Sequence, residues 1–226
     1  MPIPRVLEPE VMDTAEEADS YDAMGHSVVN AAFAEDFLRA FNDRTPGPVL
    51  DVGTGTALIP LELMSVWEQP RPLLALDAAD EMLARAQVNV QRAGRTEIVI
   101  PLRGRSDRLP FPTESMAAVM SNSLIHHLPD CKPTLREFLR VLRPGGVLFV
   151  RDLYRPDTQQ ECDRLVAQYA ADETPLARQL FAQSLPAALT LNEIRAAIEP
   201  IAASVGLHSC EVRMTSDRHW TLTAVR

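Results

Sequence analysis

The chain has 226 residues, 46% of them hydrophobic and 23% charged, a balance that buries a real core and excludes collagen, coiled coil and low-complexity tails. Its three cysteines, Cys131, Cys162 and Cys210, contain no CxxC pair, so neither a zinc knuckle nor a disulfide frame is encoded, and reduced thiols in a cytoplasm are expected. A formal charge of −9, from 31 acids against 22 Lys and Arg, repels polyphosphate and argues against nucleic acid as a partner.

The amino-terminal stretch MPIPRVLEPEVMDTAEEADS lacks the apolar core of a signal peptide, and no later segment approaches the ~20 apolar residues of a membrane helix. No membrane partner is expected. Val28, Val29, Ala32, Phe33, Phe37, Leu38 and Phe41 recur at helical spacing and predict an added helix that covers a sheet. From about residue 48, short apolar runs alternate with segments of helical period. The runs are 48–52, 72–77, 97–102, 116–121 and 145–152, followed by the pair LHSCEVRM and RHWTLTAV. Between them, helices are predicted over 57–67, 79–93 and 132–142, the last stopped by Arg-Pro-Gly-Gly. This rhythm predicts an α/β fold with a doubly wound, mostly parallel sheet. The stretch from Arg155 to Val205 holds too much helix for a simple crossover and predicts an insert that roofs a pocket. A single domain is expected: a helical cover over 1–46, a core over 47–153, the insert over 154–205 and a terminal β-hairpin over 206–226.

The first predicted strand runs into Asp51-Val-Gly-Thr-Gly-Thr-Ala57 and then at once into a helix. Glycines at 53 and 55 allow a tight turn and close approach of backbone to ligand, with amides facing it. The dinucleotide fingerprint requires a third glycine at position 58, where Leu58 stands, which argues against a nicotinamide-dependent reductase. Asp77 ends the next strand beside this loop. Its carboxylate can accept both hydroxyls of a ribose, or cap the helix that starts near Ala79.

Taken in order, LDVGTGTALIPLEL, LLALDAADEMLARA, LPFPTESMAAVMSNSLIHHLPD and LREFLRVLRPGGVLFV resemble the class I methyltransferases that use S-adenosylmethionine. The resemblance spans roughly 48–152, with a weaker echo in the final hairpin. It implies a Rossmann-like sheet of seven strands with the last one antiparallel, and S-adenosylmethionine as cofactor over the carboxyl ends of the early strands. It further implies Asp51, Gly53, Thr54 and Gly55 around the methionine part, Asp77 on the ribose, and Ala78 with Met82 against the adenine. One place departs from the pattern. Where relatives carry an Asp after the glycine of the next loop, this chain has Arg105, so the adenine falls to Asp107 or to main-chain groups of Arg105 and Ser106. The alternative reading of Asp107 is a solvated charge between Arg105 and Arg108.

A sulfonium is an activated donor, so holding the acceptor in line at about 3 to 3.5 Å and excluding water is the main task. By resemblance Asn122 stands near the reacting centre. His126 and His127 are the general-base candidates; the competing reading is that at least one packs or orients a loop. Adjacent histidines point apart and have no acid partner at helical spacing, so no metal site is expected. Arg151, Asp152, Tyr154 and Arg155 bind a polar acceptor or pair with one another. Tyr21, Asp22 and His26 close a lid or form a helix cap. Arg218, His219 and Trp220 open the last strand, Trp220 as core. Met12, Met24, Met64 and Met116 read as core filler. The leading expectation is methyl transfer to a small-molecule acceptor, with self-association into a homodimer left open. The alternative is a cofactor-binding protein of the same fold that does no chemistry and acts as a partner or regulator. Ser-Asn-Ser-Leu after the fourth strand, in place of an Asn-Pro-Pro-Tyr tetrapeptide, argues against the nucleic-acid amino group and glutamine as acceptors.

Overall fold

A computed structural model describes residues 3–8, 14–23, 27–41 and 45–226; Met12, Met24 and His26 lie outside them. Seven strands form one sheet: β1 (Val49–Val52), β2 (Leu73–Asp77), β3 (Val99–Arg103), β4 (Met116–Asn122), β5 (Leu142–Leu153), β6 (Ser209–Met214) and β7 (His219–Val225). Their order is β3-β2-β1-β4-β5-β7-β6. The first five in chain order pair in parallel, and β7 runs antiparallel between β5 and β6. Every residue of β1 is buried, as expected of a strand covered on both faces. The chain winds outward from β1 through β2 to β3, then returns to β4 on the other side of β1. At that switch point the connections part and leave a crevice at the carboxyl ends of the strands.

The helices are α1 (Ala15–Ala23), α2 (Ser27–Phe41), α3 (Leu58–Val66), α4 (Asp80–Arg92), α5 (Lys132–Val141), α6 (Gln159–Tyr169), α7 (Pro175–Ala187) and α8 (Leu191–Val205), with one 3-10 turn at Ile125–His127. The helical period read in α2 places Phe33, Phe37 and Phe41 against one face of the sheet, with Leu63 and Met64 of α3 and Ala86 and Val90 of α4. Phe33 meets Phe149 of β5 edge-on at 5.2 Å, and Phe41 meets Trp67 edge-on at 5.8 Å, the favoured arrangement of aromatic quadrupoles. The opposite face is covered by Leu135, Phe138 and Leu139 of α5 and Ile194, Ile198 and Ile201 of α8, around a fully buried Trp220. Met64 and Met116 lie in these cores.

The insert is α6, α7 and α8. Thr158, Thr174 and Thr190 each accept an amide at the N-terminus of one of these helices, and Glu193 completes a capping box on α8. Cys162, Leu165 and Leu185 bury against Leu153 at the end of β5, so α6 and α7 cover the carboxyl end of the sheet, while α8 packs on its face. Arg-Pro-Gly-Gly does not form a loop after α5. The helix stops at Val141 and β5 begins at Leu142, passing through an irregular register opposite Met116 and Ala118. Gly145 adopts φ 78° there, and a Cβ at Gly146 would stand 2.8 Å from the Arg143 carbonyl oxygen. The two glycines therefore bend a strand, where the sequence reads as a stop signal.

Candidate active site

The loop from β1 to α3 is held by the neighbouring strand. The Gly53 and Thr54 amides donate to the Leu76 carbonyl at 2.8 and 3.1 Å, and Ser121 Oγ donates to the Val52 carbonyl at 2.7 Å. Gly53 and Gly55 have φ 76° and 54°, a region that favours glycine. A Cβ on Gly53 would meet three Leu124 carbons at 3.1 to 3.2 Å. Ala57 also takes a left-handed conformation, φ 64°, immediately before α3. The Thr54 hydroxyl is buried beside Asp51 and opposes the rise of its pKa, and the Thr56 hydroxyl is buried without a hydrogen-bond partner among the described residues.

Asp77 fills the expected place at the start of α4 and adds a tie to the glycine loop that the sequence does not announce. Its Oδ2 accepts from the Gly55 amide at 2.7 Å and its Oδ1 from the Ala79 amide at 3.0 Å, so one carboxylate ties the loop to the start of α4. Burial raises its pKa against these amide bonds. Asp51 is buried at the end of β1, where desolvation and the nearby Asp77 charge push its pKa up to about 7. Burial, helped by the same two carboxylates, pushes the phenol of Tyr21, on α1, up to about 12.

A cavity of about 490 Å³ opens above these strand ends, within the range of small-molecule sites. Gly53, Gly55, Asp77, Ala78, Met82, Ser106, Asp107, Asn122 and His127 all line it, while Asp51 and Thr54 are buried and do not. Asp107 is exposed and accepts from Arg105 Nε and Nη2 at 3.0 and 2.8 Å, and Ser106 Oγ contacts Thr134 Oγ1 at 3.0 Å. The residue in the family's acid position thus holds the nearest acid of the loop.

A second cavity of about 280 Å³ adjoins the first and shares Tyr21, Asn122, Ser123 and His127 with it. The insert supplies Tyr169, Leu180, Phe181 and Ser184, and the last hairpin supplies Arg218 and His219. Burial, with the charges of Arg218 and Arg151, pushes His219 down to about 4, so this ring faces the cavity neutral. Arg218 stacks over Tyr169, 3.4 Å from the ring centroid.

The two histidines have separate carboxylate partners. His126 is buried with Nδ1 2.6 Å from Asp152 Oδ1. The Asp152 carboxylate also accepts the Ile125, His126 and Leu153 amides at 2.5, 3.2 and 2.6 Å. Burial disfavours charge on both members. Their mutual attraction outweighs it, and the imidazole is held above its ordinary pKa and the carboxyl below. His127 Nδ1 pairs with Glu8 Oε2; Glu8, held below its usual range by that contact despite burial, also accepts from Ser184 Oγ at 2.5 Å.

Several expected acceptor residues pair internally. Arg151 is buried against Asp36 at 2.6 Å and Thr221 Oγ1 at 3.0 Å, and Arg155 bonds Glu193 at 2.5 Å and the Ala188 carbonyl. Neither they nor Tyr154 line the two cavities. Asp22 accepts from Asn89 at 2.6 Å and braces α1 on α4. Glu8, Ser123 and Leu124 were not singled out by sequence reasoning. Ser123, at φ 55°, carries a weak signal, since a serine beside a strand-end asparagine marks a turn; Glu8 carries none, because only the folded chain brings it to His127.

Residues 50–150 match the methyltransferase domain family. A demethylmenaquinone methyltransferase from Desulfitobacterium hafniense is 32% identical over 109 residues, 48% of this chain and 43% of that protein. A malonyl-[acyl-carrier protein] O-methyltransferase from Xylella fastidiosa is 30% identical over 161 residues, 70% of this chain and 52% of that protein. The chain thus spans about half the length of these curated relatives. Among solved structures, an S-adenosylmethionine-dependent methyltransferase from Aquifex aeolicus superposes with a TM-score of 0.68 at 18% identity, covering 94% of this chain and 98% of that one. The phosphoethanolamine N-methyltransferase 2 of Haemonchus contortus, in complex with S-adenosylmethionine, superposes with a TM-score of 0.68 at 16% identity, covering 94% of this chain and 57% of that one. The fold is that of the Rossmann-like methyltransferases. Residues 50–150 thus carry a methyltransferase domain by that match, and the superpositions show the fold of the whole chain.

Proposed function

We propose that the chain transfers a methyl group from S-adenosylmethionine, held in the larger cavity, to a small molecule held in the smaller one. The observation that carries this reading is the shared wall of the two cavities: Tyr21, Asn122, Ser123 and His127 border both. A donor and an acceptor can meet only there. When bound, the sulfonium supplies an activated methyl group. Gly53, Thr54 and Gly55 hold the methionine part with Asp51. Asp77 accepts the ribose hydroxyls, Ala78 and Met82 pack on the adenine, and Ser106 or Asp107 meets its polar edge. His126 and His127 stand where a proton leaves an acceptor hydroxyl, each oriented by its carboxylate.

Within a single domain, α1 and α2 of the N-terminal cover and α6 and α7 of the insert shape the acceptor side, and the core over 47–153 holds the cofactor. At about 280 Å³ the acceptor cavity suits a small compound with an apolar body between Leu180 and Phe181 and a polar end toward Arg218. No described helix is long and apolar enough to cross a membrane, which supports action in the cytoplasm. An assay with tritiated methyl donor over fractionated metabolites tests the reaction: one labelled small-molecule product is expected, and cofactor binding without any product would favour the non-catalytic alternative.

Two consequences follow for the cofactor. Asp77→Ala should weaken S-adenosylhomocysteine by about 1 to 3 kcal/mol, because it removes charged acceptors and frees the Gly55 amide; an unchanged dissociation constant would return Asp77 to a purely capping role. The methionine amine is cationic and favours ionised Asp51. Binding should therefore release a proton below the Asp51 pKa of about 7, and affinity should rise with pH and level off above that value. Calorimetry in buffers of different ionisation enthalpy reads the proton count.

A further inference from the structure

We propose that Glu8, His126 and His127 form a binding site for a divalent first-row transition metal ion on the wall between the two cavities. One ligand atom from each residue lies within 4.8 Å of the others, and His126 Nε2 stands 3.9 Å from Glu8 Oε1. Two ligands at about 2.1 Å from one ion are themselves about 3.0 to 4.2 Å apart, depending on the angle between them. The 3.9 Å gap is too long for a hydrogen bond and matches that span. The other oxygen of the Glu8 carboxylate reaches His127 Nδ1.

Two features outside the cluster prepare it. Asp152 takes His126 Nδ1 at 2.6 Å, which fixes that proton and turns Nε2 toward Glu8. A carboxylate behind a histidine in this way is the arrangement that orients metal-binding imidazoles. The segment carrying Glu8 is fastened beside the 3-10 turn. The Arg5 guanidinium donates to the carbonyls of Ala187, Leu128 and His126 at 2.7, 2.9 and 3.2 Å, and the Val6 amide to that of Pro186 at 3.2 Å. Glu8 is thereby delivered to two histidines that sequence spacing alone leaves without an acid partner.

Two imidazoles and one carboxylate suit Zn²⁺, Fe²⁺ or Co²⁺ and leave coordination positions open. His127 borders both cavities, so an open position faces the smaller one, where the ion would hold and acidify an oxygen of the acceptor in place of the general-base role the two imidazoles have without it. That last role rests on the methyltransferase reading; the metal site itself does not.

The test uses the full chain, stripped with EDTA and carrying Cys210→Ser to remove its exposed thiol, titrated with Co²⁺ and separately with S-adenosylhomocysteine. One equivalent of Co²⁺ with visible d–d absorption, displaced by Zn²⁺, is expected. Glu8→Gln and His127→Ala, checked for folding by circular dichroism, should each weaken uptake at least about tenfold. Absence of saturable uptake of either ion, or uptake that both variants retain, overturns the proposal. Should a variant fail to fold, histidine nitrogen NMR of the Cys210→Ser chain decides: Zn²⁺ must shift His126 Nε2 and His127 Nδ1 and leave His208 unmoved, and any other pattern overturns it. Metal uptake without S-adenosylhomocysteine binding would sink the methyltransferase reading and leave the metal site standing.

Discussion

Gly53→Arg is expected to abolish measurable binding of S-adenosylhomocysteine while the chain remains folded. The residue sits at φ 76°, where any side chain is strained, and its Cβ would stand 3.1 Å from Leu124. A guanidinium leaving that Cβ has two directions, into Leu124 or into the cavity where the methionine part is placed. Entering the cavity, it fills the space where the methionine part is placed. The penalty combines steric exclusion with displacement of the Leu124 turn, so affinity should fall by more than about a hundredfold, or about 2.7 kcal/mol. The core below the loop is untouched, so the far-ultraviolet spectrum should match wild type. Retained affinity in a folded variant would count against the loop as the binding element.

Asp152→Ala is expected to destabilise the chain by about 3 to 5 kcal/mol, the cost of leaving a buried ionic partner and several amides uncompensated. The lost groups are the bond to His126 Nδ1 and the acceptors for the Ile125, His126 and Leu153 amides. The pH dependence follows from the two shifts. The Asp152 carboxyl is held below its ordinary pKa, so its contribution is complete above about pH 3.9 and is lost as pH falls through the lower folded value. The His126 imidazole is held above its ordinary pKa, so its contribution is complete below about pH 6.5 and is lost as pH rises through the higher folded value. Denaturant melts should therefore show the largest difference between wild type and variant from about pH 4 to 6.5. A difference that is flat across pH 3 to 9 would show that the amides alone depend on Asp152.

What could be read in advance follows from the range of each interaction. The sheet was legible because parallel strands buried on both faces read as apolar runs, and α2 because its phenylalanines fall on one stripe. The glycine loop and Asp77 are local in the same sense: a turn of this geometry demands glycine, and the acid stands at a strand end whose neighbour is given by the winding rule. Even there one residue hid a double role, since Asp77 binds loop and helix together. The acceptor side was illegible for the opposite reason. Arg151 finds Asp36, Arg155 finds Glu193 and His127 finds Glu8, all across long stretches of chain, and no spacing rule names such partners. Arg-Pro-Gly-Gly ends α5 at Val141 as expected, but that the same glycines bend the start of β5 was hidden, because glycine serves a strand bulge and a helix stop alike.

The most direct measurement is a parallel calorimetric titration of the folded chain with S-adenosylmethionine, S-adenosylhomocysteine and NADP. Saturable one-to-one heats with both adenosyl compounds and none with NADP are the predicted result. A correctly folded chain that takes up neither adenosyl compound would contradict the account at its root.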